Sequence, residues 1–320
     1  MPTIDFPVNP IRKDLYSWTE LYSNFDKDNE DSLVDTLDFM AYFDFKKNGG
    51  SFPNTYFNGM MRSLHDFSIW NGVLNITKDR MVIAIMGGHE MERDPEGPYA
   101  KIAKISFLLT QKGYLLTSGG GPGAMEATHL GAYFSNYSQK DLDEAINILS
   151  LKPKLPKDLS NLIKDNVINK KILKELHDWI RPTFEIIEKY SNGGESLSLP
   201  TWLYGYEPTS PFAMHIAKYF QNSIREDGLL AIAKYGVIYT EGKAGTIQEI
   251  FQDATQNYYI SFDCFSPMVF FDQEYWTKKY PVKIVLDNLF LVDDNKKYLK
   301  YTDNVDEVVN FLCAFRPPIK

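Results

Sequence analysis

One local pattern, used twice, constrains this chain more than anything else in it. A short apolar run rich in β-branched and aromatic residues leads into a glycine-rich loop, and the loop opens an amphipathic segment. The first copy is residues 114–117 (YLLT), the loop Ser118-Gly119-Gly120-Gly121-Pro122-Gly123, and a helix expected to start near Ala124. The second is residues 235–240 (YGVIYT), the loop Glu241-Gly242-Lys243-Ala244-Gly245-Thr246, and a helix expected over 246–259. A third apolar run, 81–86 (MVIAIM), ends at Gly87-Gly88. Continuous apolar runs of this length suit strands buried on both faces, as in parallel sheets. Between the runs at 81–86 and 114–117, Ile102, Ile105, Leu108 and Leu109 share one face of a helix over 97–112, and Gly113 stops it. Strand, helix, strand, loop, helix is a βαβ unit. The expected class is therefore α/β, a Rossmann-like three-layer fold on a parallel sheet.

The rest of the chain is read around that core, which is expected to run over 81–315. Residues 1–80 are rich in aromatics and acids and read as an N-terminal extension of two short helices, with a turn-rich connector at 46–54 (KKNGGSFPN). Residues 136–198 are polar and lysine-rich with helical periodicity, and read as a helical insertion. The core is expected to resume with a strand at 201–206 (TWLYGY) and a long helix over 212–234. Strands at 267–271 (PMVFF) and 289–294 (LFLVDD) and a closing helix over 304–315 complete it. No internal repeat or low-complexity tract is visible.

Composition narrows the function. With 320 residues, 44% of them hydrophobic, the chain is long enough for a sizeable core. Its formal charge of −8 repels a nucleic-acid backbone, so no nucleic acid is expected as a partner. The two cysteines, Cys264 and Cys313, form neither a disulfide framework nor a metal-ligand spacing, and no metal is expected. The first residues lack the apolar run of a signal peptide. No apolar stretch reaches the roughly 18 residues of a membrane span, so no membrane is expected and the default location is cytoplasmic.

The two loops suggest a phosphate site. Glycine allows positive φ and close backbone approach, and a following helix presents unpaired N–H groups and a partial positive charge. One glycine turn is weak evidence, since many such turns carry glycine for steric reasons. Gly119, Gly120, Gly121 and Gly123 fall within five positions, and Gly242 and Gly245 repeat the arrangement. Two such loops at the carboxyl ends of parallel strands form the crevice where open α/β sheets bind ligands. Thr246 is expected to cap its helix and to donate to a phosphate, Lys243 to add charge, and Gly87, Gly88 and His89 to form a third wall.

Two acid–base constellations accompany the loops. Glu249, Asp253 and Gln256 share a helical face, while Ile247, Ile250, Phe251 and Ala254 supply the buried one. Glu249 reads either as the far half of a capping box with Thr246 or as a carboxylate at the pocket rim. On the expected helix 212–234, His215, Lys218, Asn222 and Arg225 form a polar stripe opposite Ala213, Ile216, Ala217, Phe220 and Ile224. That stripe reads either as a solvated face or as one that turns Arg225 to the pocket.

These blocks resemble the LONELY GUY family, often called lysine decarboxylase-like, and most of all its larger bacterial relatives, the nucleotide 5′-monophosphate nucleosidases. Gly87-Gly88-His89 is similar to their first-strand turn, residues 118–127 (SGGGPGAMEA) to their glycine loop, and 240–249 (TEGKAGTIQE) to their P-G-G-x-G-T-x-x-E block. The resemblance covers about residues 81–310 apart from the insertion. It implies a homodimeric hydrolase that cuts the N-glycosidic bond of a nucleoside 5′-monophosphate, giving free base and ribose 5-phosphate, with no cofactor. It further implies that Gly119 to Gly123, Gly242, Gly245 and Thr246 hold the phosphate, that Met125 lies near the nucleotide, and that Glu249 is the motif glutamate. Arg225 would be the catalytic arginine, one residue off the usual spacing. Two departures bear on activity: Glu241 replaces the motif proline, and Lys243 the second motif glycine. A non-catalytic binder of a nucleotide or phosphorylated cofactor, such as molybdenum cofactor, is the alternative. An interaction protein working through the extension and insertion is a third.

Overall fold

The computed structural model describes residues 6–203, 205–290 and 294–317. Its centre is a seven-stranded sheet in the order β6-β5-β2-β1-β7-β8-β9, every pair of neighbours parallel. The strands are β1 (Val82–Met86), β2 (Leu115–Ser118), β5 (Ser196–Ser198), β6 (His215–Ile216), β7 (Val237–Tyr239), β8 (Met268–Phe271) and β9 (Leu299–Thr302). A separate hairpin, β3 (Ile163–Lys164) and β4 (Val167–Ile168), turns through Asp165 and Asn166, both at positive φ.

Alternate residues of each strand feed two cores, which makes three layers. Val82, Ala84 and Met86 pack on one side with Val237, Tyr239, Met268 and Phe270. Ile83 and Ile85 pack on the other with Leu116, Ile238, Val269 and Phe271. The second core is covered by α4 (Pro98–Gln111), α5 (Ala124–Tyr133), α6 (Gln139–Leu149) and α11 (Val305–Ala314). The first is covered by α1 (Trp18–Leu21), α2 (Leu37–Lys47), α3 (Tyr56–Thr77), α8 (Asn222–Ile232), α9 (Ala244–Tyr258), α10 (Val282–Leu289) and most of α7 (Lys170–Lys189).

The βαβ core stands where the sequence puts it, but several expectations are corrected. The extension holds α1, a 3-10 turn over Glu30–Asp35, α2 and the 22-residue α3 rather than two short helices. The insertion ends before residue 196, because β5 is a core strand within the range 136–198. Residues 201–206 are not a strand. Thr201 makes one isolated bridge to Tyr219, and Tyr204 lies outside the described residues. The helix expected over 212–234 is split: His215–Ile216 is an edge strand, and the helix begins only at Asn222. Of the strand expected at 289–294, Leu289 ends α10, residues 291–293 lie outside the described residues, and the strand that joins the sheet is β9.

Candidate functional site

Strand order puts the two glycine loops side by side. β1 lies between β2 and β7, so the turns leaving all three open on the same edge, where the chain direction switches. Backbone bonds stitch them together. The Gly88 N–H donates to Glu241 O at 2.8 Å, the Thr240 N–H to Met86 O at 2.9 Å, and the Ala124 N–H to Gly88 O at 3.2 Å. The last of these occupies the first N–H of α5, so that helix offers less to an anion than the sequence suggests.

Glycines here serve two different ends. Gly123 holds φ +74° and approaches so closely that an added Cβ would lie 2.4 Å from Gly88 O, which is a structural demand. Gly245, in the first turn of α9, is the opposite case: nothing lies within 4 Å of where its Cβ would be, and it has no positive φ. Neither packing nor conformation requires glycine there.

The helix itself is capped differently from the expectation. Its N-cap position is Lys243, with no side-chain cap bond, and Thr246 is already its third residue. The capping-box reading of Thr246 with Glu249 therefore falls. The Thr246 side chain is buried with Oγ1 against Gly242, 2.1 Å from where a Cβ there would sit.

Glu249 faces Arg225 across the gap between α9 and α8, with Nη1 to Oε1 at 3.6 Å and about 12 to 13% of each side chain exposed. Arg225 is held by Asn222 Oδ1 at 2.7 and 3.1 Å, and its guanidinium lies 3.5 Å from the Cβ position of Gly119. Burial pushes the Glu249 carboxyl up to about 7, Arg225 pulling it down and Glu226 pushing it up. Met125 lies against the same loop, its sulfur toward Gly119 and its methyl toward Gly121.

A residue that sequence reasoning passed over joins this group. Glu207 Oε2 sits 3.1 Å from the Cβ position of Gly121. Burial raises its carboxyl, and the charges of His89, Arg225 and Lys218 draw it back. The charge of Arg225 thus acts on both carboxyl groups, in contact with Glu249 and at longer range on Glu207. The signal available was a glutamate in a glycine- and proline-punctuated loop after a core strand, 205–208 (GYEP).

Two cavities flank the crevice. One of about 380 Å³ lies among Gly88, His89, Glu241, Gly242, Lys243 and Tyr275. The other, of about 510 Å³, lies among His89, Pro122, Gly123, Lys154, Trp179 and Glu207, so the loop that ends the insertion's first helix forms its far wall. Arg225 and Glu249 line neither; Glu207 is the member of their group that reaches a cavity. Lys243 pairs with Glu90 across the smaller mouth at 2.5 Å, both exposed. Glu241 lines the same cavity beside Asp272; burial and then that neighbour raise its carboxyl, and Lys279 opposes the rise.

Other expected members are elsewhere. Lys218 is fully buried, 2.5 Å from Asp38, and donates to Thr209 Oγ1, so it belongs to the core and not to a solvated stripe. His215 is on the edge strand. Asp253 is buried and accepts from Tyr239 Oη at 2.7 Å, so it shares no open face with Glu249. Among the described residues no cluster of His, Cys, Asp or Glu is placed to hold a metal ion, and no helix is long and apolar enough to cross a membrane. Compared with known proteins, the chain matches no protein-family model and no curated protein.

Proposed function

We propose that this crevice binds a nucleoside 5′-monophosphate and hydrolyses its N-glycosidic bond. The observation that carries the reading is the Arg225–Glu249 pair set against Gly119 of the glycine loop, with the Glu249 carboxyl raised to about 7 and Glu207 against Gly121 of the same loop. The phosphate is assigned to the open first turn of α9 at Ala244, Gly245 and Thr246, with Lys243 adding charge. Cleavage passes through an oxocarbenium-like state, which an adjacent carboxylate stabilises. Glu249 in its ionised form takes a proton from water as the water oxygen bonds to the ribose carbon. The departing base leaves with the electrons of the broken C–N bond and takes a proton from Glu207, whose carboxyl burial raises. Arg225 holds Glu249 and the phosphate side of the sugar in place. A pair of copies, as the sequence resemblance implies, and a soluble existence inside the cell fit the same reading.

Incubation with a panel of purine and pyrimidine 5′-monophosphates, followed by chromatography of the products, tests this. Free base is expected from at least one nucleotide, and Glu249→Gln is expected to abolish it. A wild-type protein that releases no base from any of them sinks the hydrolase.

A second reading has one observation in its favour. The Glu241–Asp272 carboxyl pair on the smaller cavity repels a phosphate unless it holds a proton. That favours a protein that binds a nucleotide or a phosphorylated cofactor, a pterin such as molybdenum cofactor included, without turning it over. Thermal stabilisation by a nucleotide with no base release identifies this case.

A further inference from the structure

The first three turns of helix α3 are inside out, while Ile69 and Val73 further along enter the core in the ordinary way. On an ordinary surface helix the apolar stripe faces the core and the polar side faces water. Here Asn58, Arg62, His65 and Asp66 are buried, while Phe57, Met60, Leu64, Phe67 and Leu74 are 38 to 64% exposed and Tyr56 is 95% exposed.

The polar anchors fix this orientation. Arg62 donates to the carbonyls of Gly50, Phe45 and Asn48. His65 bonds the Tyr16 hydroxyl at 2.8 Å. Asp66 accepts from the backbone of Phe220 and Gln221 at 3.0 and 2.8 Å. Rotating the helix to bury its apolar side would break every one of these.

The exposed side has the spacing of a seam. Phe57, Met60, Leu64, Phe67, Asn71 and Leu74 follow one another at three and four residues in strict alternation, the a and d positions of two and a half heptads. Asn71 stands at an a position, where one polar residue sets register and partner number. The charged residues of α3, Arg62 and Asp66, are both buried, so the seam carries no charge. An open groove of about 900 Å³ along Pro53, Tyr56, Gly59, Met60, Leu64 and Phe67 continues it, and Phe52 beside it is 87% exposed.

We propose that α3 is the surface through which two copies of this chain pair, seam against seam. Apolar patches of this extent on a folded protein mark interaction sites. A heptad seam is complementary to itself, and a chain of charge −8 meets its own copy best across an uncharged strip. A lipid surface is the wrong occupant: membrane-lying helices flank their apolar face with lysine or arginine, and α3 has no lysine and a buried arginine. The interface lies in the extension, on the face of α3 turned away from α8, so it is separate from the crevice and independent of what the crevice does.

Sedimentation velocity across a concentration series tests it. Wild-type protein is expected to run at twice the 36.8 kDa chain mass, and the double variant Met60→Glu, Phe67→Glu at the chain mass. Both positions are more than 60% exposed, so the variant is expected to keep its melting temperature. As a second readout that leaves the seam nearly intact, Leu64→Cys treated with a short bismaleimide is expected to give a covalent dimer absent from identically treated wild type. A wild-type chain that stays monomeric at roughly 100 μM, where a micromolar pair is almost wholly dimer, overturns the proposal. So does a dimer that survives the double substitution, or a monomer that co-sediments with neutral phosphatidylcholine vesicles through these residues.

Discussion

Glu249 couples the candidate chemistry to the stability of the fold. Its carboxyl holds its proton up to about 7 in the native state, against an ordinary value of 4.5. A group whose folded value lies above its unfolded one binds the proton more tightly when folded, so its contribution is complete below 4.5 and is lost as pH rises through 7. The loss amounts to roughly 3 kcal/mol at most. Glu249→Gln is therefore expected to flatten the fall in urea stability between those pH values; a variant with the wild-type slope would move the burden to Asp253, whose buried carboxyl is also raised to about 7. Activity runs the other way. If the ionised form is the working one, kcat/KM rises with pH through about 7, and Arg225→Ala, which removes the charge that pulls Glu249 down, shifts that rise to higher pH. A limb that stays put in Arg225→Ala would detach the arginine from the carboxyl. The glycines make a separate prediction. Gly245→Ala meets nothing within 4 Å and is expected to leave the melting temperature within a degree or so while weakening nucleotide binding. Gly123→Ala meets Gly88 O and carries φ +74° with ψ −131°, outside the left-handed helical region, and is expected to cost on the order of 1–3 kcal/mol for the backbone alone. Calorimetry on the two variants separates a ligand-facing glycine from a structural one.

Helix α8 owes its start to a residue far away in sequence. Asp66 accepts from the N–H groups of Phe220 and Gln221, the positions just before α8, and α8 carries Arg225. Asp66→Ala leaves the buried Phe220 N–H unpaired, at about 1–3 kcal/mol, and the part-buried Gln221 N–H to water. Urea denaturation is expected to show a loss of that order, with Asp66→Asn losing less because it keeps one acceptor. An unchanged midpoint in Asp66→Ala would mean that water replaces the carboxylate. The same contact explains a misreading. Residues 213–225 have helical periodicity, and nothing local stops a helix at 212; what stops it is β6 pairing with β5 and the cap delivered by α3, both long-range. The buried strands β1 and β8 were legible because four or five apolar residues in a row admit few other readings, and the shorter β2 and β7 because their apolar residues run straight into loops where glycines cluster. β5 and β6, with three and two residues, carry no periodicity to read. Lys218 reads from sequence as one member of a polar stripe, and not as a core residue, because its partner Asp38 lies in another helix. Glu207 went unseen because only the fold brings its loop over Gly121.

The extension and the insertion, far apart in sequence, close on each other over one face of the sheet. Phe25 of the extension stacks on Phe184 of α7 at 4.3 Å, and Trp18 and Tyr22 meet the same ring edge-on. Lys27 pairs with Glu188, Lys170 with Asp31 and Lys174 with Glu30 around that contact; these exposed pairs add little on their own and mainly fix the approach. Deeper in, Trp179 of α7 lies 3.7 Å under Arg93, whose guanidinium is bonded twice to Glu126 in the first turn of α5, directly after the glycine loop. A chain of contacts thus runs from the extension through the insertion to the crevice, which makes the insertion part of the folded body and not an appended arm. Removing residues 138–195 would strip Trp179 from Arg93 and expose the aromatic cluster, so that truncation is expected not to fold. Phe184→Ala is the gentler test. Truncating a buried phenylalanine costs about 3–5 kcal/mol, and because the ring joins both segments to the sheet that loss is expected to lower one cooperative transition. Melting followed separately by near-UV signal from the aromatic cluster and by far-UV signal from all helices should stay coincident in wild type and variant. Two transitions that part company in Phe184→Ala would show that extension and insertion melt as a unit of their own, with the glycine loops left folded.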